Sequence, residues 1–224
     1  MKSKMSFENW FISDKSAIER RDKKLYKEYV GGFYDVESAS QFTMLLALGL
    51  REGHKVLDLG AGCFRLGRLL IPFLEKGNYY CIEPEKWLID EAIKNEIGEE
   101  ILKIRDIHIS TDNDFNLDTF GVKFDYIMAH SIFTHAALCQ IEKCMMKTAE
   151  VLNDNGIFVG TFIQSPDEKY YNGEKWIYPG VAQYPTDMLA QIANNYNLVF
   201  GTAEKPHVEH HTWFMIKKSF TKYY

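Results

Sequence analysis

The chain has 224 residues, 46% of them hydrophobic and 25% charged, which suits a single globular domain with a sizeable core. Its net charge of −5 argues against a protein that tracks a phosphate backbone and favours a small or neutral substrate. Cys63, Cys81, Cys139 and Cys144 form no Cys-x-x-Cys pair, so reduced thiols in a cytoplasmic protein are expected.

Residues 1–14 carry two lysines and no apolar core, so a secretory signal is not expected. The longest apolar run, residues 44–50, is far short of a bilayer span, and no membrane insertion is expected. Residues 1–35 alternate polar and aromatic side chains (Phe7, Trp10, Phe11, Tyr26, Tyr29, Phe33, Tyr34), and one or two helices over the ligand-binding edge are predicted. Apolar spacing predicts a helix over 38–50, a strand over 55–59 and a helix over 66–75. A second strand follows at 79–83, then a helix over 86–95 opened by Pro84. Strands are predicted at 102–110 and 124–129, a helix at 136–152, a turn at Asn153-Asp154-Asn155-Gly156, and a strand at 157–163. Residues 164–185 lack regularity but hold Tyr170, Tyr171, Trp176, Tyr178 and Tyr184; so long a loop in a compact domain reads as functional. A helix at 186–196 and strands at 198–202 and 211–217 complete the chain. Strands alternating with helices at this spacing predict a parallel sheet covered on both faces.

The most informative stretch is Val56-Leu57-Asp58-Leu59-Gly60-Ala61-Gly62-Cys63-Phe64-Arg65, an apolar strand that ends on a carboxylate and breaks into a glycine turn. About two dozen residues on, Tyr79-Tyr80-Cys81-Ile82 ends on Glu83. This is the outline of a nucleoside-binding crossover, with the second acid placed to accept hydrogen bonds from a ribose diol.

Over residues 40–220 the chain resembles the class I S-adenosylmethionine-dependent methyltransferases. Residues 56–62 are similar to that family's first motif, Glu83 to its ribose-binding acid, 124–129 to its fourth strand and 151–161 to its third motif. Phe124–His135 is similar to a subgroup with an SxFTH turn after the fourth strand and an arginine at the position of Arg65. The resemblance implies a Rossmann-like doubly wound α/β fold, with a mostly parallel seven-stranded sheet, helices on both faces and an antiparallel last strand. It also implies one domain: an N-terminal cap (1–37), a cofactor-binding core (38–163), an aromatic substrate loop (164–185) and C-terminal elements (186–224). Two departures stand out. The usual third glycine falls at Phe64, so a differently shaped turn is expected. The third-motif glycine pair is Asn155-Gly156, a change that asparagine's access to left-handed backbone would tolerate.

The implied cofactor is S-adenosyl-L-methionine, with contacts from Asp58, Gly60, Ala61, Gly62, Arg65 and Glu83. Asp114 or Phe115 would lie at the adenine, Asp112 being an equal candidate by spacing. His130 and Ser131 follow the fourth strand and would face the ligand crevice. Asp58 would orient the turn or meet the ligand's ammonium through water, with a purely turn-stabilising role as the lesser alternative. Arg65 would hold a carboxylate of substrate or cofactor, or pair with a nearby acid. His135 and His130 are the catalytic candidates: a histidine whose pKa lies near working pH can take a proton from an alcohol acceptor. The competing role for Thr134 and His135 is to cap the next helix. His207, Glu209 and His211 share one face of an extended segment, but their turn-like context after Pro206 argues for no metal.

The function implied is methyl transfer to an oxygen or nitrogen of a small-molecule or glycan-like acceptor. A non-catalytic S-adenosylmethionine-binding module is the alternative from another class. An NAD-dependent oxidoreductase is disfavoured because Arg65 replaces the last glycine of Gly-x-Gly-x-x-Gly. Oligomeric state is left open.

Overall fold

The computed structural model describes residues 14–167 and 169–219; Phe7, Trp10 and Phe11 of the predicted N-terminal helices lie outside them. In chain order the elements are α1 (Asp14–Asp22), α2 (Tyr26–Tyr29), α3 (Tyr34–Ala47), β1 (Val56–Leu59), α4 (Gly67–Phe73), β2 (Tyr79–Ile82) and α5 (Lys86–Ala92). They continue with α6 (Glu99–Arg105), β3 (His108–Ser110), β4 (Phe124–Ala129), α7 (Leu138–Val151), β5 (Leu152–Gln164), β6 (Gln183–Tyr184), α8 (Thr186–Asn195), β7 (Leu198–Ala203) and β8 (Thr212–Lys218). A π-helical turn, Ile93–Ile97, extends α5.

The sheet runs β3-β2-β1-β4-β5-β8-β7, with the two-residue β6 also paired to β5. Strands β1 to β6 pair in parallel, and β8 is antiparallel to both β5 and β7. Strand order reverses between β1 and β4, and that switch point opens a crevice at the carboxyl ends of the strands. All four residues of β1 are buried, as expected of a central strand covered on both faces. Alternation divides the core. Leu57, Leu59, Tyr80, Ile127 and Phe158 pack with Ile141, Met145 and Leu189 of α7 and α8. Val56, Cys81, Met128 and Val159 pack on the other face with Leu45, Leu70 and Leu88 of α3, α4 and α5. Helices therefore cover both faces. No described helix is long and apolar enough to cross a membrane.

Several element boundaries differ from the sequence expectation. The strand expected from 102 splits into helix α6 and the short β3. Glu99 and Glu100 in the first turn of α6 and Lys103 and Arg105 in its last complement the helix dipole, and Arg105 reaches across to the carbonyls of Ile71 and Pro72. The cap boundary drawn after residue 37 falls inside α3. The turn expected at 153–156 is a bulge within β5: the register passes from Leu152 opposite Phe124 to Ile157 opposite Tyr126. Neither Asn155 nor Gly156 has positive φ, so left-handed backbone is not what Gly156 provides. A Cβ there would stand 2.9 Å from the Phe124 carbonyl oxygen, and close approach is the reason for glycine.

The bulge is pinned by Asp125, whose Oδ1 accepts from Asn153 Nδ2 at 2.7 Å and whose Oδ2 accepts from the Lys55 amide at 2.8 Å. Asn153→Ala should lower stability by about 1.5 kcal/mol, the low end for a bond to a charged acceptor because this one is only part-buried. Urea unfolding measures it, and an unchanged midpoint would show that the bulge holds without this bond.

Candidate active site

Two adjoining hollows of about 170 and 360 Å³ open at the switch point and share Gly60, Glu83, Glu85, Ile132 and Trp176. They form two halves of one crevice with Ile132 on the divide. β1 delivers the turn that floors it. Gly60 and Ala61 donate their amides to the Ile82 carbonyl at 2.8 and 3.2 Å, and Gly60 has φ +76. A Cβ on Gly60 would lie 2.1 Å from Ile132 Cδ1, so the backbone passes the crevice wall where no side chain fits. Gly62 has φ +56, and a Cβ there would make a tight but relievable contact with Val30 Cγ1 at 3.1 Å.

Phe64 stands at the position where a third glycine was expected. Phe64 itself takes φ +55, the conformation a glycine would adopt, at a cost of about 1–2 kcal/mol for an L-residue. Its ring is fully buried and packs edge-on against Tyr79 at 6.1 Å. Burying an aromatic side chain of this size offsets such strain.

Glu83, at the tip of β2, is 7% exposed. Its Oε2 accepts from the Gly62 amide and its Oε1 from the Glu85 amide, both at 2.8 Å, so one carboxylate ties the two strand ends together. Each oxygen keeps a second lone pair for a ligand hydroxyl. Asp58, on β1, is equally buried and accepts from the Tyr79 hydroxyl at 2.8 Å. Burial pushes the pKa of each carboxyl up to about 7.

Arg65 lines the first hollow and forms no ion pair with an acid among the described residues. Its Nη1 and Nη2 donate to the carbonyls of Gly32 and Val30 at 3.2 and 2.9 Å, and it thereby holds the segment after α2 against the glycine turn. In the second hollow, Asp112, Asn113 and Phe115 line the wall. Asp114 does not: it is exposed and pairs with Lys143. Asp112 is occupied by the amides of Asp114 and Asn116, so it shapes the loop.

Beyond β4, His130 and Ser131 line the first hollow. Ser131 has φ +57, and its amide donates to Thr161 Oγ1 at 2.9 Å. His135 also lines this hollow, beside Trp176 and Tyr178 with ring centroids at 5.6 and 5.0 Å. It does not cap α7. That helix has Ala137 at its N-cap, with the Ala137 amide bonded to Gln140 Oε1 at 2.9 Å. The His135 Nδ1 instead lies 2.7 Å from the Gly180 carbonyl. A carbonyl only accepts, so Nδ1 carries the proton and Nε2 keeps its lone pair. Burial lowers the His135 pKa to about 4, below the near-neutral value expected.

The aromatic loop divides between its two expected roles. Tyr184 is fully buried in β6 and donates to the Ala136 carbonyl at 2.7 Å, which is sheet-edge packing. Trp176 and Tyr178 line the crevice, and the Tyr178 hydroxyl reaches the Tyr29 carbonyl across its mouth. The backbone of this segment docks on the SxFTH turn through Ile177 to His135 and Ala182 to Thr134.

Tyr29, in the segment expected to lie over the ligand-binding edge, lines the crevice together with Val30 and Gln41, which carried no readable signal. Glu37, 1% exposed, faces His130 and His207 at 3.0 and 3.6 Å. The one hint was polar residues, Glu37, Ser38 and Gln41, on the stripe of α3 that also buries Tyr34 and Leu45.

Residues 57–158 match the family model described as "Methyltransferase domain". Among solved structures, the chain is similar to magnesium protoporphyrin IX methyltransferase from Synechocystis PCC 6803 with bound SAM, at 15% identity and a TM-score of 0.61 over 83% of this chain and 80% of that one. It is similar to a TehB-like SAM-dependent methyltransferase from Corynebacterium glutamicum, at 18% identity and a TM-score of 0.59 over 92% and 100%. It is also similar to the DhpI–SAH complex, at 14% identity and a TM-score of 0.61 over 91% and 95%. Residues 57–158 are thus similar to a methyltransferase domain, and the chain shares its fold with these solved structures.

Proposed function

We propose that this chain moves the methyl group of S-adenosylmethionine to an oxygen or nitrogen of a small-molecule or glycan-like acceptor. One observation carries the reading. A buried carboxylate (Glu83), a side-chain-free turn (Gly60 to Gly62) and a lone-pair imidazole nitrogen (His135) border one crevice.

The donor set fits the cofactor. A ribose diol has two hydroxyl donors, and Glu83 offers one oxygen to each while keeping its amide bonds. Gly60 lines both hollows and packs so close to Ile132 that a side chain there would displace the Ile132 wall of the crevice. Asn113 and Phe115 flank the half of the crevice suited to a flat base. Asp58 adds a second acid near the turn, suited to an ammonium group.

The bound cofactor supplies a methyl group already activated by a positive sulfur. The remaining work falls to the chain: to orient the acceptor, exclude water and remove one proton. His135 accepts the acceptor's proton at Nε2, while its Nδ1–H bond to Gly180 fixes the ring's orientation. Trp176 and Tyr178 cover the site.

Calorimetry with S-adenosylmethionine, S-adenosylhomocysteine and NAD tests the cofactor, and transfer of a labelled methyl group to a panel of small acceptors tests catalysis. Binding of the first two but not NAD, with label in an acceptor, is expected. Binding without transfer to any acceptor would favour the non-catalytic module, and NAD binding alone would overturn the reading.

A further inference from the structure

We propose that Glu37, His130 and His207 form a binding site for a first-row divalent metal ion, at the inner wall of the crevice. Ligand atoms of these three residues lie within 4.8 Å of one another. His130 Nε2 stands 2.7 Å from His207 Nε2 and 3.0 Å from Glu37 Oε2, and His207 Nε2 is 3.6 Å from Glu37 Oε1. Adjacent ligands of an octahedral ion with bonds of about 2.1 Å are roughly 3 Å apart; the two shorter separations are close to that, and each imidazole faces a different oxygen of the one carboxylate.

The case rests on proton accounting. His207 Nδ1 accepts the Glu209 amide at 3.1 Å, so a neutral His207 carries its proton on Nε2. At 2.7 Å that proton is shared with His130 Nε2, which must then present a lone pair. His130 holds its own proton on Nδ1, beside Ser131 Oγ at 3.3 Å. Nothing is left for Glu37. Both its oxygens are fully buried and have no hydrogen-bond partner among the described residues. A buried carboxylate facing imidazole lone pairs without a donor is costly. A cation at the shared point satisfies all of them. It requires His207 to move its proton to Nδ1, so the Glu209 amide contact opens within the turn at 207–210.

Two imidazoles and one carboxylate form a mixed nitrogen and oxygen set, which suits manganese, iron, cobalt or zinc better than calcium or magnesium. The scaffold is rigid on two sides, with Glu37 in α3 and His130 at the end of β4. His130 also lines the crevice, so open coordination positions would face it. Under the proposed function, an acceptor hydroxyl taken up there would lose its proton more readily. Binding of the ion itself does not depend on that function.

The test is calorimetry of the chelator-treated full chain with manganese(II) and with zinc(II), and absorption of its cobalt(II) form. One ion per chain is expected, with visible bands of nitrogen and oxygen ligation. Glu37→Gln and His130→Ala should each weaken binding by at least 30-fold, and Glu209→Gln should leave it unchanged. Should Glu37→Gln or His130→Ala fail to fold, His207→Asn in the loop replaces it. Binding of none of the three metals would overturn the site. So would binding lost in Glu209→Gln but kept in Glu37→Gln, which would place the ion on the alternative set of His207, Glu209 and His211. Titration with S-adenosylmethionine on the same sample keeps failure of the metal site distinct from failure of the cofactor reading.

Discussion

Replacing Glu83 with alanine is expected to weaken S-adenosylmethionine and S-adenosylhomocysteine binding about 100-fold, or about 2.8 kcal/mol. Bonds to an ionised acceptor in a buried site are worth about 1.5–3 kcal/mol each, and some is recovered by water entering the emptied space. The ligand-free chain should change less in stability. The variant leaves the Gly62 and Glu85 amides without their acceptor but also removes a buried charge, and the two effects oppose each other. Calorimetry beside thermal unfolding separates them, and unchanged affinity would move the nucleoside elsewhere.

The same carboxylate makes binding depend on pH. Burial raises Glu83 and Asp58 to about 7, above ordinary values near 4. An acid whose folded-state pKa is raised stabilises the fold below its unfolded pKa, and that contribution is lost as pH climbs to the folded value. The ligand-free chain should therefore lose stability between about pH 4 and pH 7 and level off above. Hydroxyl donors favour ionised Glu83, so affinity should rise over the same window and binding at pH 6 should release protons. Calorimetry in two buffers of different ionisation enthalpy reads the release directly. Equal heats at pH 6 would show that Glu83 is already ionised in the free protein.

What could be read from the sequence was what repeats or ends abruptly. The apolar runs of β1, β2 and β4, the glycine bend at 60–62 and the acids Asp58 and Glu83 near the ends of β1 and β2 are local patterns, and each lies close to its expected position. The bulge in β5 was misread as a turn because Asn-Asp-Asn-Gly has turn chemistry, while its conformation is set by Asp125 on the neighbouring strand. Helix α6 was misread because its isoleucines, Ile101 and Ile104, are exposed and so give no core-facing stripe. The partners of Arg65, Asp58 and His130 were hidden for a related reason. Each is reached from 21 to 77 positions away, and no local period encodes a contact of that range. Asp114 shows the limit of counting along a loop. One residue decides whether a carboxylate faces the crevice or, as here, pairs with Lys143 in solvent.

His135→Ala is expected to lower kcat about 100-fold on an acceptor identified with the labelled methyl donor, the lower end of what one positioned base contributes. Two features set the size. Nε2 keeps its lone pair because the Gly180 carbonyl holds the ring proton on Nδ1. Burial holds the pKa to about 4, so the base is fully available at neutral pH but weak in driving force. The acid limb of kcat should then fall near pH 4, well below the 6.5 of free histidine, with a flat rate through pH 7. A purely structural role predicts something else. His135→Asn can still donate to Gly180 and keep the loop seated, so it would restore the rate if anchoring were all that mattered. Persistent loss in the asparagine variant, with unfolding temperature and S-adenosylmethionine affinity unchanged, identifies the lone pair as the lost function. Full recovery, or an acid limb that stays near 6.5 in both variants, would transfer the proton to another group.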